Sequence, residues 1–300
     1  MVVAANSTPP PLPQKSNVLG VMCGAGAALC WALGFVAARH GIDAGLSPLV
    51  IALHRYVWPG LVLLPLSAAN GFRDFNNIGW NRAIALAVFG GLPIALLAYI
   101  GYLFVPLGHG GIIQPSCAAV GGLLLARFVL KEPLPGRRIA GACVIVLGLV
   151  VIGAEALRTI GPHGVGGDLL FVAAGCFFAT FGMLVRKWRI AALQATAITS
   201  VLSLAGLPIL LFAFGNMLAA GFLENLLQAV VQGALAGAGA IFLFTRAVVL
   251  LGVSRAAVFP SLVSPFVLLI GFLALGIVPS ISQFIGLAVV LIGFRLTQRG

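Results

Sequence analysis

Charge is scarce in this chain, and negative charge is scarcest. Only 6 residues are Asp or Glu, and charged side chains of both signs make up 8% of the 300 residues. Soluble domains carry about 25%. With apolar residues at 61%, too few charges remain to screen the chain from water, which excludes a soluble fold. The five cysteines, Cys23, Cys30, Cys117, Cys143 and Cys176, sit inside apolar runs and form no CxxC pair. That excludes a disulfide scaffold or a cysteine-held metal and leaves small buried side chains. No glycine-rich phosphate loop appears, so ATP is not a direct energy source. His54 and His109 have no carboxylate or cysteine partner at a catalytic spacing, so no enzymatic site is expected, and no cofactor. Residues 1–17, with NSTPPPLPQKS, lack a signal peptide's basic start and read as a flexible cytoplasmic tail.

Apolar length is what the chain has in plenty. Spans of roughly 20 residues cross a hydrocarbon core, and ten such segments follow one another. They run approximately over 18–38, 48–67, 82–104, 110–129, 137–154, 168–185, 193–214, 226–249, 256–275 and 281–296. Gly108–Gly153 organises the pattern: an apolar run interrupted at Gln114-Pro115-Ser116, a charged turn, then a Gly-rich run. The pattern returns 145 positions later. Pro115 answers to Pro260, Gly141 to Gly286, Gly148 to Gly293, and Glu132 to Ile277. Repetition at half the chain length indicates a duplicated unit. An odd number of segments per unit makes the second unit enter the membrane from the opposite side. The expected fold is all-α and polytopic, with ten transmembrane helices in two inverted five-helix repeats, 18–155 and 168–296.

The excess of basic residues orders this topology. With both termini in the cytoplasm, 14 of the 17 Lys and Arg fall on inside loops or helix ends, as the positive-inside rule requires. Arg39 and Arg158 lie outside and Arg55 within a helix. The net charge of +11 thus reflects membrane orientation and not a nucleic-acid partner. The bilayer is the first partner.

Several polar residues sit at costly depth. Arg55, beside His54, either snorkels and bonds helix carbonyls or lines a path. Trp31 lies away from the interfacial belt and either packs or lines a cavity. Gln228 and Gln232, one turn apart, must face the bundle or a water-filled path. Thr196, Thr199, Ser200 and Ser203 read as helix-to-helix bonding. Pro115 and Pro260 free backbone carbonyls and bend their helices.

FVLKEPLPGRRIAGACVIVLGLVVI after Pro115, and LGIVPSISQFIGLAVVLIGF in the second unit, resemble the duplicated domain of the EamA family, in the drug/metabolite transporter superfamily. Ile277 departs from the acidic residue many members keep. The resemblance implies a ten-helix carrier of the bacterial inner membrane, exporting amino acids or similar small amphipathic metabolites by alternating access. Its cavity would be framed by the first, third, fourth, sixth, eighth and ninth helices. Carried onto this sequence, that implicates Trp31, Tyr99, Tyr102, Gln114, Thr180, Gln228, Gln232, Ser261 and Ser264 in substrate binding. His54, Arg55, His109, Pro115 and Pro260 are left to gating or structure. A channel-like facilitator is the alternative. A monomer suffices for this reading, and proton coupling stays open.

Overall fold

The computed structural model describes residues 14–69, 78–131, 135–251 and 259–298. The expected charged loops around Arg73, Asp74, Glu132, Arg255 and Arg299 lie outside them, as do residues 1–13.

The described chain is all helical. Helix α1 (Gln14–Asp43) begins inside the expected tail and outruns its expected end. It is followed by α2 (Pro48–Ala69), α3 (Trp80–Gly90) and α4 (Leu92–Gly101). The expected third segment is therefore two helices, broken at Gly91, where Pro93 starts the next turn without needing an amide donor. Helix α5 (Leu107–Phe128) contains Pro115, and α6 spans Gly136–Thr159. The expected linker between units, 156–167, is largely helical, because α7 (Pro162–Lys187) starts only three residues after α6 ends.

The seventh segment is split into α8 (Ala192–Ser203), a 3₁₀ turn and α9 (Leu207–Phe212), and α10 (Phe214–Ala220) follows. Next come α11 (Phe222–Gln228), a π-helical stretch over Ala229–Gly239, and α12 (Ala240–Leu251). Pro260 lies in a 3₁₀ turn, Phe259–Leu262, that feeds α13 (Val263–Leu275). Helix α14 (Ile281–Gln298) closes the chain.

Seven helical stretches among the described residues are long and apolar enough to cross a membrane. They are Val18–Asp43, Pro48–Pro65, Trp80–Gly101, Leu107–Phe128, Pro162–Lys187, Leu193–Phe212 and Phe222–Phe244. Phe259–Leu275 and Ile281–Leu296 are apolar but shorter. Large side chains such as Val62, Phe212, Phe222 and Ile281 face outward, while Gln228, Gln232, His109 and Ser264 are buried. This inversion of the soluble pattern suits hydrocarbon as the solvent. The protein is an all-α, multi-pass membrane protein.

One backbone feature recurs at the 145-residue step. Lys131, after α5, and Gly276, after α13, both adopt left-handed φ, 56° and 66°. They stand at the 145-residue step, so the same turn is built once with glycine and once against the steric preference of a side chain. Packing is reciprocal too: α5 lies on α7 as α13 lies on α1, and α2 meets the π stretch as α8 meets α3.

Helices α6 and α14 run antiparallel and meet through glycine. A Cβ on Gly148 would stand 2.9 Å from the Gly286 carbonyl oxygen, and one on Gly293 would stand 2.8 Å from that of Gly141. Equivalent glycines do not face each other; each faces the other's counterpart. Small residues are what let membrane helices approach this closely.

Candidate functional site

Arg55 lies near the middle of the Pro48–Pro65 span. Its guanidinium Nη1 donates to the Tyr99 hydroxyl and to Gln232 Oε1, each at 3.3 Å. The Tyr99 hydroxyl itself donates to the same Gln232 oxygen at 2.8 Å. Gln232 Nε2 donates to the Gly34 carbonyl at 2.7 Å. Four elements thus converge: α1, α2, α4 and the π stretch. Both halves of the chain contribute.

Local sequence explains the convergence. Gly34 gives α1 a bare patch: a Cβ there would meet Ala236 Cβ at 2.7 Å and Arg55 Nη1 at 3.2 Å. On the π stretch, Gly233 and Gly237 let the backbone approach α2, where a Cβ would meet the His54 and Arg55 carbonyls at 3.1 and 2.8 Å. Gly239 follows them. An i→i+5 backbone ladder is rare and frequently marks functional sites. Here it carries Gln232.

A polar seam continues toward the other end of α1. Gln228 Nε2 donates to the Ala37 carbonyl (2.7 Å) and to Glu224 Oε1 (2.8 Å). Glu224 Oε2 stands 3.0 Å from His40 Nδ1, an ion-pair distance without hydrogen-bond alignment. His54 Nδ1 accepts from Trp58 Nε1 (2.8 Å), which leaves Nε2 to carry the hydrogen toward Asn225 Oδ1 at 3.3 Å. His54 is thereby held as a fixed tautomer in a side-chain network.

A second polar centre joins α5 to α7. His109 Nδ1 lies 2.9 Å from Asp168 Oδ1, and both side chains are buried. This corrects the expectation that His109 has no carboxylate partner. Asp168 was placed at the start of a helix, but α7 begins at Pro162. Extending α7 backward by those six residues moves Asp168 from an interface into the packed bundle.

The remaining sequence-picked residues divide. Trp31 packs its ring against Phe244, centroids 5.5 Å apart. Tyr99 and Tyr102 have different partners: the Tyr99 hydroxyl bonds Gln232. Tyr102 lies beyond the end of α4, with its ring edge-on to Phe171 (4.9 Å) and its carbonyl accepting from Arg39 Nη1 (2.8 Å). Thr180 bonds back to the Cys176 carbonyl in its own helix (2.9 Å). Ser261 is buried in the 3₁₀ turn beside Pro260. Four of these residues each carry a buried polar atom without a hydrogen-bond partner among the described residues: Gln114 Oε1, Gln228 Oε1, Ser264 Oγ and the Tyr102 hydroxyl. The helical hydroxyls Thr199 and Ser203 bond carbonyls of their own helix, not a neighbouring one.

Sequence reasoning missed Glu224, Asn225 and Asp168. Glu224 precedes Gln228 and Gln232 by the same four-residue step, a signal visible in the chain. Asp168 had no such signal, because its partner is 59 positions away.

No curated protein matches the chain. Sixteen chains of solved structures do match. One of them, described only as "Crystal structure of protein", superposes with a TM-score of 0.58 at 18% sequence identity, covering 92% of this chain and 95% of that chain. At that identity the likeness shows the fold alone. The model of the EamA-like transporter family matches twice, over residues 18–154 and 165–298, nearly the whole chain, and the protein therefore belongs to the EamA-like transporter family of membrane transporters.

Proposed function

We propose that the protein is a secondary carrier that exports small amphipathic metabolites, amino acids foremost, by alternating access between two inverted five-helix units. The observation that carries this reading is the Arg55–Tyr99–Gln232–Gly34 constellation, polar groups from both units meeting at mid-span. Carriers built from inverted repeats bind their solutes at that depth and at that interface. The antiparallel, crossed glycine contact of α6 with α14 supports the inversion, since a two-fold axis perpendicular to paired helices produces this pattern. Ten spans, with both termini in the cytoplasm of a bacterial inner membrane, complete the reading.

Trp31, Tyr99 and Tyr102, with Gln228 and Gln232, remain the proposed binding residues, together with Gln114, Thr180, Ser261 and Ser264. A single deep cation suits a zwitterion better than a phosphorylated solute, which calls for several. Counterflow from proteoliposomes against amino acids, nucleosides, sugars, phosphorylated sugars and cationic drugs tests this. Saturable exchange of amino acids is expected. Ohmic single-channel current without counterflow would overturn the carrier reading, and preference for phosphorylated sugars would overturn the substrate class.

A further inference from the structure

Arg55 is a half-buried cation with no carboxylate among its partners. Arg39 pairs with Asp43, His40 with Glu224, and His109 with Asp168. Arg55 is in none of them. Its hydrogen-bond partners are the phenols of Tyr99 and Tyr56 and the amide of Gln232, all neutral. A guanidinium cannot shed its proton at any relevant pH. At mid-span it therefore keeps a full charge that no carboxylate among the described residues balances, and such a charge is costly.

The arrangement around Gln232 Oε1 has a specific shape. Two donors, Arg55 Nη1 and the Tyr99 hydroxyl, converge on that one oxygen at 3.3 and 2.8 Å. A cationic N–H and a phenolic O–H aimed at one oxygen is the donor set that suits a carboxylate. The amide oxygen occupies the place of that anion without its charge. Gln232 is itself held through its other end by the Gly34 carbonyl, on a π-helical stretch rich in glycine. The stand-in is thus mounted on the least regular backbone in the site.

We infer that Arg55 and Tyr99 are the carboxylate-binding pair of the transport site, and that Gln232 Oε1 is an internal surrogate which a solute's carboxylate displaces. The class of ligand is a small solute bearing one carboxylate. This rests on the carrier reading above and adds to it which end of the solute is recognised and by which atoms. Exchange of a neutral acceptor for an anionic one roughly doubles the strength of each hydrogen bond, and it supplies the missing counter-charge.

The experiment uses the full-length protein in liposomes, with phenylalanine and leucine, each beside its carboxamide, in counterflow. The wild type is expected to exchange the amino acids with an apparent affinity about 10- to 100-fold better than the amides, the ratio that follows from losing charge-assisted hydrogen bonds. Arg55→Gln is expected to erase that ratio and Arg55→Lys to keep part of it. Gln232→Glu supplies a permanent anion to Arg55, so it is expected to abolish amino-acid exchange while the melting temperature holds or rises. That variant decides the matter if Arg55→Gln fails to fold. Equal exchange of acids and amides by the wild type, or wild-type exchange of the acids by Gln232→Glu, would overturn the inference while leaving the carrier reading intact. Exchange confined to solutes without a carboxylate does the same. Absence of exchange with every solute of the wider panel overturns both.

Discussion

Gly148 and Gly286 meet backbone to backbone, with room for no Cβ between them. Replacing Gly148 by Leu forces α6 away from α14 along their contact. Overpacking of this kind costs about 1–3 kcal/mol. Gly148→Leu is therefore expected to lower the melting temperature in detergent, whereas Gly136→Leu, at a position open on all sides, leaves it near the parent value. Equal loss in both would refute the close contact.

The His109–Asp168 pair is a second stability test. Removing one partner of a buried hydrogen-bonded pair leaves the other unsatisfied, a loss of about 1–3 kcal/mol. Asp168→Asn and His109→Leu are each expected to destabilise strongly. The double variant is expected to cost less than the sum of the two single changes, since each already breaks the same contact. Additive losses in a double-mutant cycle would show that the two groups do not interact.

Gly34 separates a packing role from a recognition role. A Cβ at Gly34 crowds Ala236 and the Arg55 guanidinium together. Gly34→Ala is expected to weaken amino-acid exchange while the protein still inserts and purifies as a folded species. An unchanged exchange rate would mean that the guanidinium is free to move aside.

Topology is tested by labelling. Single cysteines placed at Gly161, between α6 and α7, and at Gly136, at the start of α6, are expected to react from opposite faces, Gly161 outside and Gly136 inside. Both positions are exposed enough to react or lie in short turns. Equal reactivity from outside would sink the proposed orientation.

The helices were legible because hydropathy runs need no partner to be read. Helix extents were less so: α1, α6 and α7 continue past the expected ends, where tertiary support outweighs the drop in apolar content. Gln228 and Gln232 were readable as inward-facing because amides cannot lie cheaply in lipid. Their bonds to Ala37 and Gly34 were not readable, since those residues contribute only backbone carbonyls and carry no side-chain signature. Asp168 and His109 meet only because α5 and α7 lie side by side. The π stretch had no sequence signature beyond its glycines.

In the proposed inverted-repeat reading, the crossed glycines give the chain the geometry of a homodimer fused into one polypeptide. In a true homodimer every substitution appears twice. Here each half answers to its own codons, and the halves have used that freedom. At the 145-residue step, Arg55, Tyr99 and Gln232 correspond to Ser200, Phe244 and Ala87. The cation, the phenol and the amide therefore occur on one side of the axis and have no mirror on the other. In that reading a scaffold with two-fold packing holds one such cradle, and the proposed site predicts a binding stoichiometry of a single solute per chain, not a pair.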